Sequence, residues 1–127
     1  MKQIARSLML CATLFFPLFA HALGDTYTQE KLDALNKTGK PVLVFIYAGW
    51  CPTCRAQEKV LEKLFGTDEF RGITTLRVDF DAQRKVVRSF GVRYQSTLIV
   101  FKNGKEVGRM TGETDSGRIA EFLRSIL

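Results

Sequence analysis

Cys51 and Cys54 are separated by two residues in "AGWCPTCRA". Three chemistries are open to such a pair: thiol-disulfide exchange, half of a metal site, or a structural cross-link. The rest of the inventory narrows the choice. The only other cysteine, Cys11, and the only histidine, His21, lie in an N-terminal segment that reads as removable. A tetrahedral zinc site takes four Cys, His or carboxylate ligands, and one mature chain offers two thiolates and nothing else of the usual kind. A disulfide between residues three apart closes a very short loop and constrains the unfolded chain little. Redox exchange remains, in a compartment where disulfides form.

The removable segment has three parts. Lys2 and Arg6 make a basic start, Ser7 to Phe19 is an apolar run broken by Pro17, and Ala20-His21-Ala22 has the small-x-small form of a cleavage site. Residues 1–22 are therefore expected to be a secretory signal peptide, leaving residues 23–127 as one exported, periplasmic domain. The apolar run falls short of the roughly 20 residues that a spanning helix needs; an uncleaved anchor is the alternative. The formal charge of the whole chain is +6, of which Lys2 and Arg6 supply two. The other basic residues are scattered, which argues against nucleic acid as a partner. Arg84, Lys85, Arg88 and Arg93 form the one dense group. It reads as a solvated helix face, or else as a docking surface for an acidic partner.

The elements that must position the cysteines follow from the pattern around them. "PVLVFIY" (Pro41 to Tyr47) is a continuous apolar run rich in β-branched and aromatic residues, as expected of a strand covered on both faces. "AGW" turns the chain, and from Cys51 to Phe65 the apolar spacing is helical, with Pro52 in the first turn, where its missing N–H costs nothing. Cys51 then sits at a helix N-terminus. Unpaired N–H groups and the macrodipole favour a thiolate there, which makes Cys51 the attacking sulfur and Cys54 the sheltered, resolving one.

The flanking chain alternates as an α/β domain does. Thr26 and Gln29 are spaced as a capping box for a first helix ending near Gly39. Ile73 to Phe80 reads as a strand and Ala82 to Phe90 as a helix. "TLIVFK" and "KEVGRMT" flank Asn103-Gly104, the dipeptide of a type I′ hairpin. Asp115 to Leu127 closes the domain as an amphipathic helix through Ile119, Phe122, Leu123 and Ile126.

With "WCPTC" after a buried strand and "STLIVFKNGKEVGRMTG" near the end, the chain from about Lys40 to Leu127 resembles the thioredoxin family. The resemblance implies a thioredoxin fold, that is, a central mixed four-stranded sheet flanked by helices. It also implies dithiol-disulfide exchange with protein thiols and disulfides as substrates, no cofactor beyond the Cys51–Cys54 pair, and a monomer. Carried over, Cys51 is the nucleophile and Cys54 the resolving thiol. Trp50, Pro52, Thr53, Ser96 and Thr97 form the surface that meets substrate.

Two positions depart from the family pattern. Where thioredoxins carry a cis-proline before "TL", this chain has Ser96. A cis Gln95–Ser96 bond would cost about 2.5 to 4 kcal/mol, so a trans bond is expected there. Where many thioredoxins carry a buried aspartate beneath the cysteines, this chain has Phe45. Glu58, one turn after Cys54 and on the same helix face, is the candidate to exchange a proton with Cys54, unless it simply faces solvent near Arg55. The resulting CxxCxxxE spacing resembles the C-terminal domain of the bacterial membrane reductant carrier DsbD. That implies a reductant fed by a membrane donor of the same kind. A disulfide oxidase, or a dimer sharing a metal or iron-sulfur cluster through the two-cysteine motif, are the alternatives.

Overall fold

The computed structural model describes residues 23–127, so the expected signal peptide lies outside the described residues. Nine elements run in chain order: β1 (Asp25–Thr26), α1 (Gln29–Lys37), β2 (Val42–Tyr47), α2 (Pro52–Phe65), β3 (Thr74–Asp79), α3 (Arg84–Ser89), β4 (Thr97–Lys102), β5 (Lys105–Thr111) and α4 (Ser116–Arg124). They form one mixed sheet in the order β1-β3-β2-β4-β5. The strands β1, β3 and β2 are parallel, and β4 and β5 are antiparallel to their neighbours. No helix among the described residues is long and apolar enough to cross a membrane.

The sheet has five strands where four were expected. The additional one, β1, is only two residues long, pairing Asp25 with Leu76 and Thr26 with Arg77, too short to show an alternation in sequence. It also takes Thr26 out of the role of helix cap. The cap is Thr28, whose Oγ1 accepts from Lys31 N at 3.2 Å, while the Gln29 side chain bonds Tyr27 and Asp33 instead.

The central strand explains its own unbroken apolar run. Leu43 and Phe45 point to one face, where they pack with Leu61 of α2, Ile119 and Leu123 of α4, and both cysteines. Val42, Val44 and Ile46 point to the other, against Leu32 of α1 and Val87 of α3. All five are fully buried, and each such side chain contributes roughly 1.5–3 kcal/mol. The hairpin forms as expected, with Asn103 at φ +51 and Gly104 at φ +76, both signs that a type I′ turn requires.

This packing presents the C-terminal end of β2 and the first turn of α2 at one edge of the molecule. The loop that enters β4 lies against the same edge.

Candidate active site

Helix α2 starts where Pro52 fixes a helical φ and gives up a donor that has no partner in a first turn. The residue before it, Cys51, is the N-cap with an extended backbone (φ −85, ψ 111), and its sulfur accepts from Cys54 N at 3.1 Å. The nucleophile is thus also the helix cap. Both sulfurs are free thiols, and both residues are buried, at 2 % exposure for Cys51 and 3 % for Cys54.

Their proton affinities are pushed apart. Burial pushes the Cys51 thiol up, but the hydrogen bonds from the Cys54 thiol, the Ser96 hydroxyl, the Cys54 N–H and Gln95 together hold it below the ordinary cysteine range. Burial also raises Cys54, and donating to Cys51 raises it further, against smaller lowering contacts from Ser96 and the Ala48 backbone. Cys51 is the sulfur that ionises first.

Ser96 meets both. Its Oγ is 3.1 Å from Cys51 Sγ and 3.2 Å from Cys54 Sγ. The Gln95–Ser96 bond is trans, as expected, since no peptide among the described residues is cis. The unusual feature is instead the φ of +62 at Ser96, a left-handed conformation that costs a non-glycine residue roughly 1–2 kcal/mol. It persists because the Ser96 carbonyl accepts from Gly112 N at 2.9 Å and from Gln57 Nε2 at 3.0 Å.

The other expected site residues separate into groups. Trp50 is 58 % exposed beside Cys51, its indole N–H held by Asp81 Oδ2 at 2.8 Å. Pro52 is exposed and Thr53 half-buried on the same rim. Thr97 is buried with its hydroxyl committed to Tyr94 O at 2.8 Å and Thr111 Oγ1 at 3.0 Å, so it anchors the loop rather than offering a surface.

Glu58 is ion-paired to Arg77. Its Oε1 lies 2.9 Å from Arg77 Nη1, and the Arg77 guanidinium sits 4.1 Å from the Tyr47 ring centroid. The alternative reading, solvent beside Arg55, does not describe it. Glu58→Gln keeps an acceptor but loses the charge. We expect a loss of about 1 kcal/mol in urea unfolding, with the resolving step of Cys54 unchanged. A slowed resolving step at unchanged stability would assign Glu58 as the proton acceptor.

Sequence reasoning missed Gln57 and Asp81. Gln57 had a signal: with Cys54 and Leu61 it lies on the inward stripe of α2, where a polar side chain needs a partner. Asp81, 31 residues from Trp50, had none.

A family model described as Thioredoxin matches residues 25–125. The chain belongs to the thioredoxin family. A thioredoxin of Chlamydia muridarum is 39 % identical over 82 residues, covering 65 % of this chain and 78 % of that protein. One from Mycobacterium bovis is 33 % identical over 95 residues, covering 75 % and 80 %. Among solved structures, Trxlp from Edwardsiella tarda superposes with a TM-score of 0.75 at 39 % identity, covering 78 % of this chain and 96 % of that one. The protein is a thioredoxin-type thiol-disulfide oxidoreductase working through Cys51 and Cys54. In this chain Ser96, on a trans bond, faces the two sulfurs, and Phe45 is buried beneath them.

Proposed function

We propose that the protein is an exported, periplasmic reductant of protein disulfides, acting as a monomer and recharged by a DsbD-like membrane donor. The observation that carries the reading is the placement of the two sulfurs: Cys51 caps α2 and accepts from Cys54 N at 3.1 Å, its thiol held below the ordinary range, while Cys54 lies within the first turn with its thiol raised. Cys51 attacks a substrate disulfide, a mixed disulfide forms, and Cys54 displaces it, leaving a Cys51–Cys54 disulfide and two substrate thiols. Export rests on the basic start, apolar run and cleavage-like triplet of residues 1–22. The membrane donor rests on the CxxCxxxE spacing. The reducing direction rests on the described chain being a bare thioredoxin domain, without an inserted helical region of the DsbA type.

The test is the equilibrium redox potential of the protein, read from the fluorescence of Trp50, its only tryptophan, in graded dithiothreitol and glutathione buffers. A value near the about −270 mV of thioredoxin supports a reductant; one near the about −120 mV of DsbA makes it an oxidase. Zinc or iron in anaerobically purified, dimeric protein would replace both with a metal-sharing module.

A further inference from the structure

The site contains a hydroxyl that two thiols do not need in order to exchange with a disulfide. Ser96 is 4 % exposed, and its Oγ is within hydrogen-bond reach of both sulfurs. Its place is enforced. Gln57, wholly buried, donates from Nε2 to Ser96 O and to Glu113 O, each at 3.0 Å, and leaves its own Oε1 without a partner. An unpaired buried acceptor costs about 1–3 kcal/mol, and the two bonds that Gln57 donates are what hold the Ser96 and Glu113 carbonyls in place against that cost. Phe45, fully buried under the pair, puts no carboxylate beneath it.

A hydroxyl has one proton to donate. It can therefore serve only one thiolate at a time, and the exchange produces thiolates one after the other. We propose that Ser96 is a catalytic hydroxyl that passes a single hydrogen bond from Cys51 to Cys54 in the course of the reaction, with Gln57 as its positioning residue. The proposal deepens the exchange mechanism above and rests on it.

In the reduced protein the Ser96 O–H donates to the Cys51 thiolate. Cys51 attacks the substrate disulfide: a Cys51–substrate S–S bond forms, the substrate S–S bond breaks, and the electron pair leaves on the first substrate thiolate, which takes a proton from water. Cys51 is now neutral, and the hydroxyl turns to Cys54. As Cys54 loses its proton to water, Ser96 donates to the new thiolate. Cys54 attacks Cys51 Sγ, the mixed disulfide breaks, and the second substrate thiolate leaves and is protonated. Two electrons pass from the dithiol to the substrate. The two protons that the substrate thiols gain match those lost when Cys51 and Cys54 ionise.

Ser96→Gly tests this, because glycine accepts φ +62 without strain and removes only the hydroxymethyl group. Stopped-flow reaction of the reduced protein with 5,5′-dithiobis(2-nitrobenzoate) reads both steps: Cys51 releases the first chromophore and Cys54 the second. Alkylation by iodoacetamide across pH reads the ionisation of Cys51. Ser96→Gly is expected to slow both phases roughly tenfold near neutral pH, the loss of one hydrogen bond to a charged sulfur, and to move the alkylation profile to higher pH. Ser96→Ala, which retains the Cβ, gives the same slowing. Gln57→Met gives a smaller shift of the same profile in the same direction, which a purely structural role would not. If both phases and the alkylation profile of Ser96→Gly and Ser96→Ala match the wild type, the hydroxyl has no part in the reaction. A wild-type protein that releases only one equivalent overturns the exchange mechanism itself, and the hand-over with it.

Discussion

Cys51→Ser is expected to abolish reduction of insulin disulfides, and Cys54→Ser to convert the protein into a trap that holds its substrate as a stable mixed disulfide. The two outcomes differ because the two sulfurs differ. Cys51 caps α2 and is held ionisable by the donors around it, and an alcohol in its place has no anion to offer near neutral pH. Cys54 is raised by burial and by its bond to Cys51, so it does not act as a nucleophile until Cys51 has reacted. A serine there keeps a donor for Cys51, so the first attack proceeds and the second is absent. Intact-mass spectrometry after incubation with a disulfide substrate checks both. Cys51→Ser should show no adduct, and Cys54→Ser should show one adduct that dithiothreitol removes. An adduct on Cys51→Ser would assign the nucleophile to Cys54. The pH dependence follows from the same asymmetry. The first attack speeds up as Cys51 ionises below the ordinary cysteine range, and falls away as pH drops through that depressed value.

Phe45→Ala should be the most damaging single change to stability. The ring is wholly buried on the sheet face that carries Cys51, Cys54, Leu61 and Leu98, and lies 5.9 Å from the Tyr47 ring centroid. It also underlies the Arg77 guanidinium at 5.9 Å. Truncation removes the apolar burial and opens a cavity between the strand and α2, which costs about 3–5 kcal/mol from a total on the order of 5–15 kcal/mol. Urea and thermal denaturation of the reduced protein read the loss directly. A loss under about 1 kcal/mol would mean that α2 closes over the gap. Because that helix carries both thiols, such a collapse would show in the exchange rates.

Much of this arrangement was legible before the fold was known, and the legible parts share a cause. The strand β2, the helices α2 and α4 and the Asn103-Gly104 hairpin are each announced by local pattern: an unbroken apolar run, a helical spacing after Pro52, a dipeptide that needs two positive φ angles. The nucleophile was equally local, since a cysteine just before a helix-starting proline falls at the cap. What was not legible depends on residues distant in sequence. Two residues of β1 carry no periodicity of their own and are strand only because β3 passes beside them. Glu58 has the spacing to face Cys54, yet Arg77, on the neighbouring strand β3 and 19 residues away in sequence, pairs with its carboxylate. The φ of Ser96 reflects Gly112 and Gln57 gripping one carbonyl from 16 and 39 residues away.

The sulfur that caps α2 has one more consequence. A thiolate is a strong acceptor for the Cys54 N–H, and a sulfur bound to another sulfur is a weaker one, so the cap on the first turn of α2 is expected to be stronger in the reduced form than in the disulfide. Redox state is thereby written into the backbone as well as into the side chains.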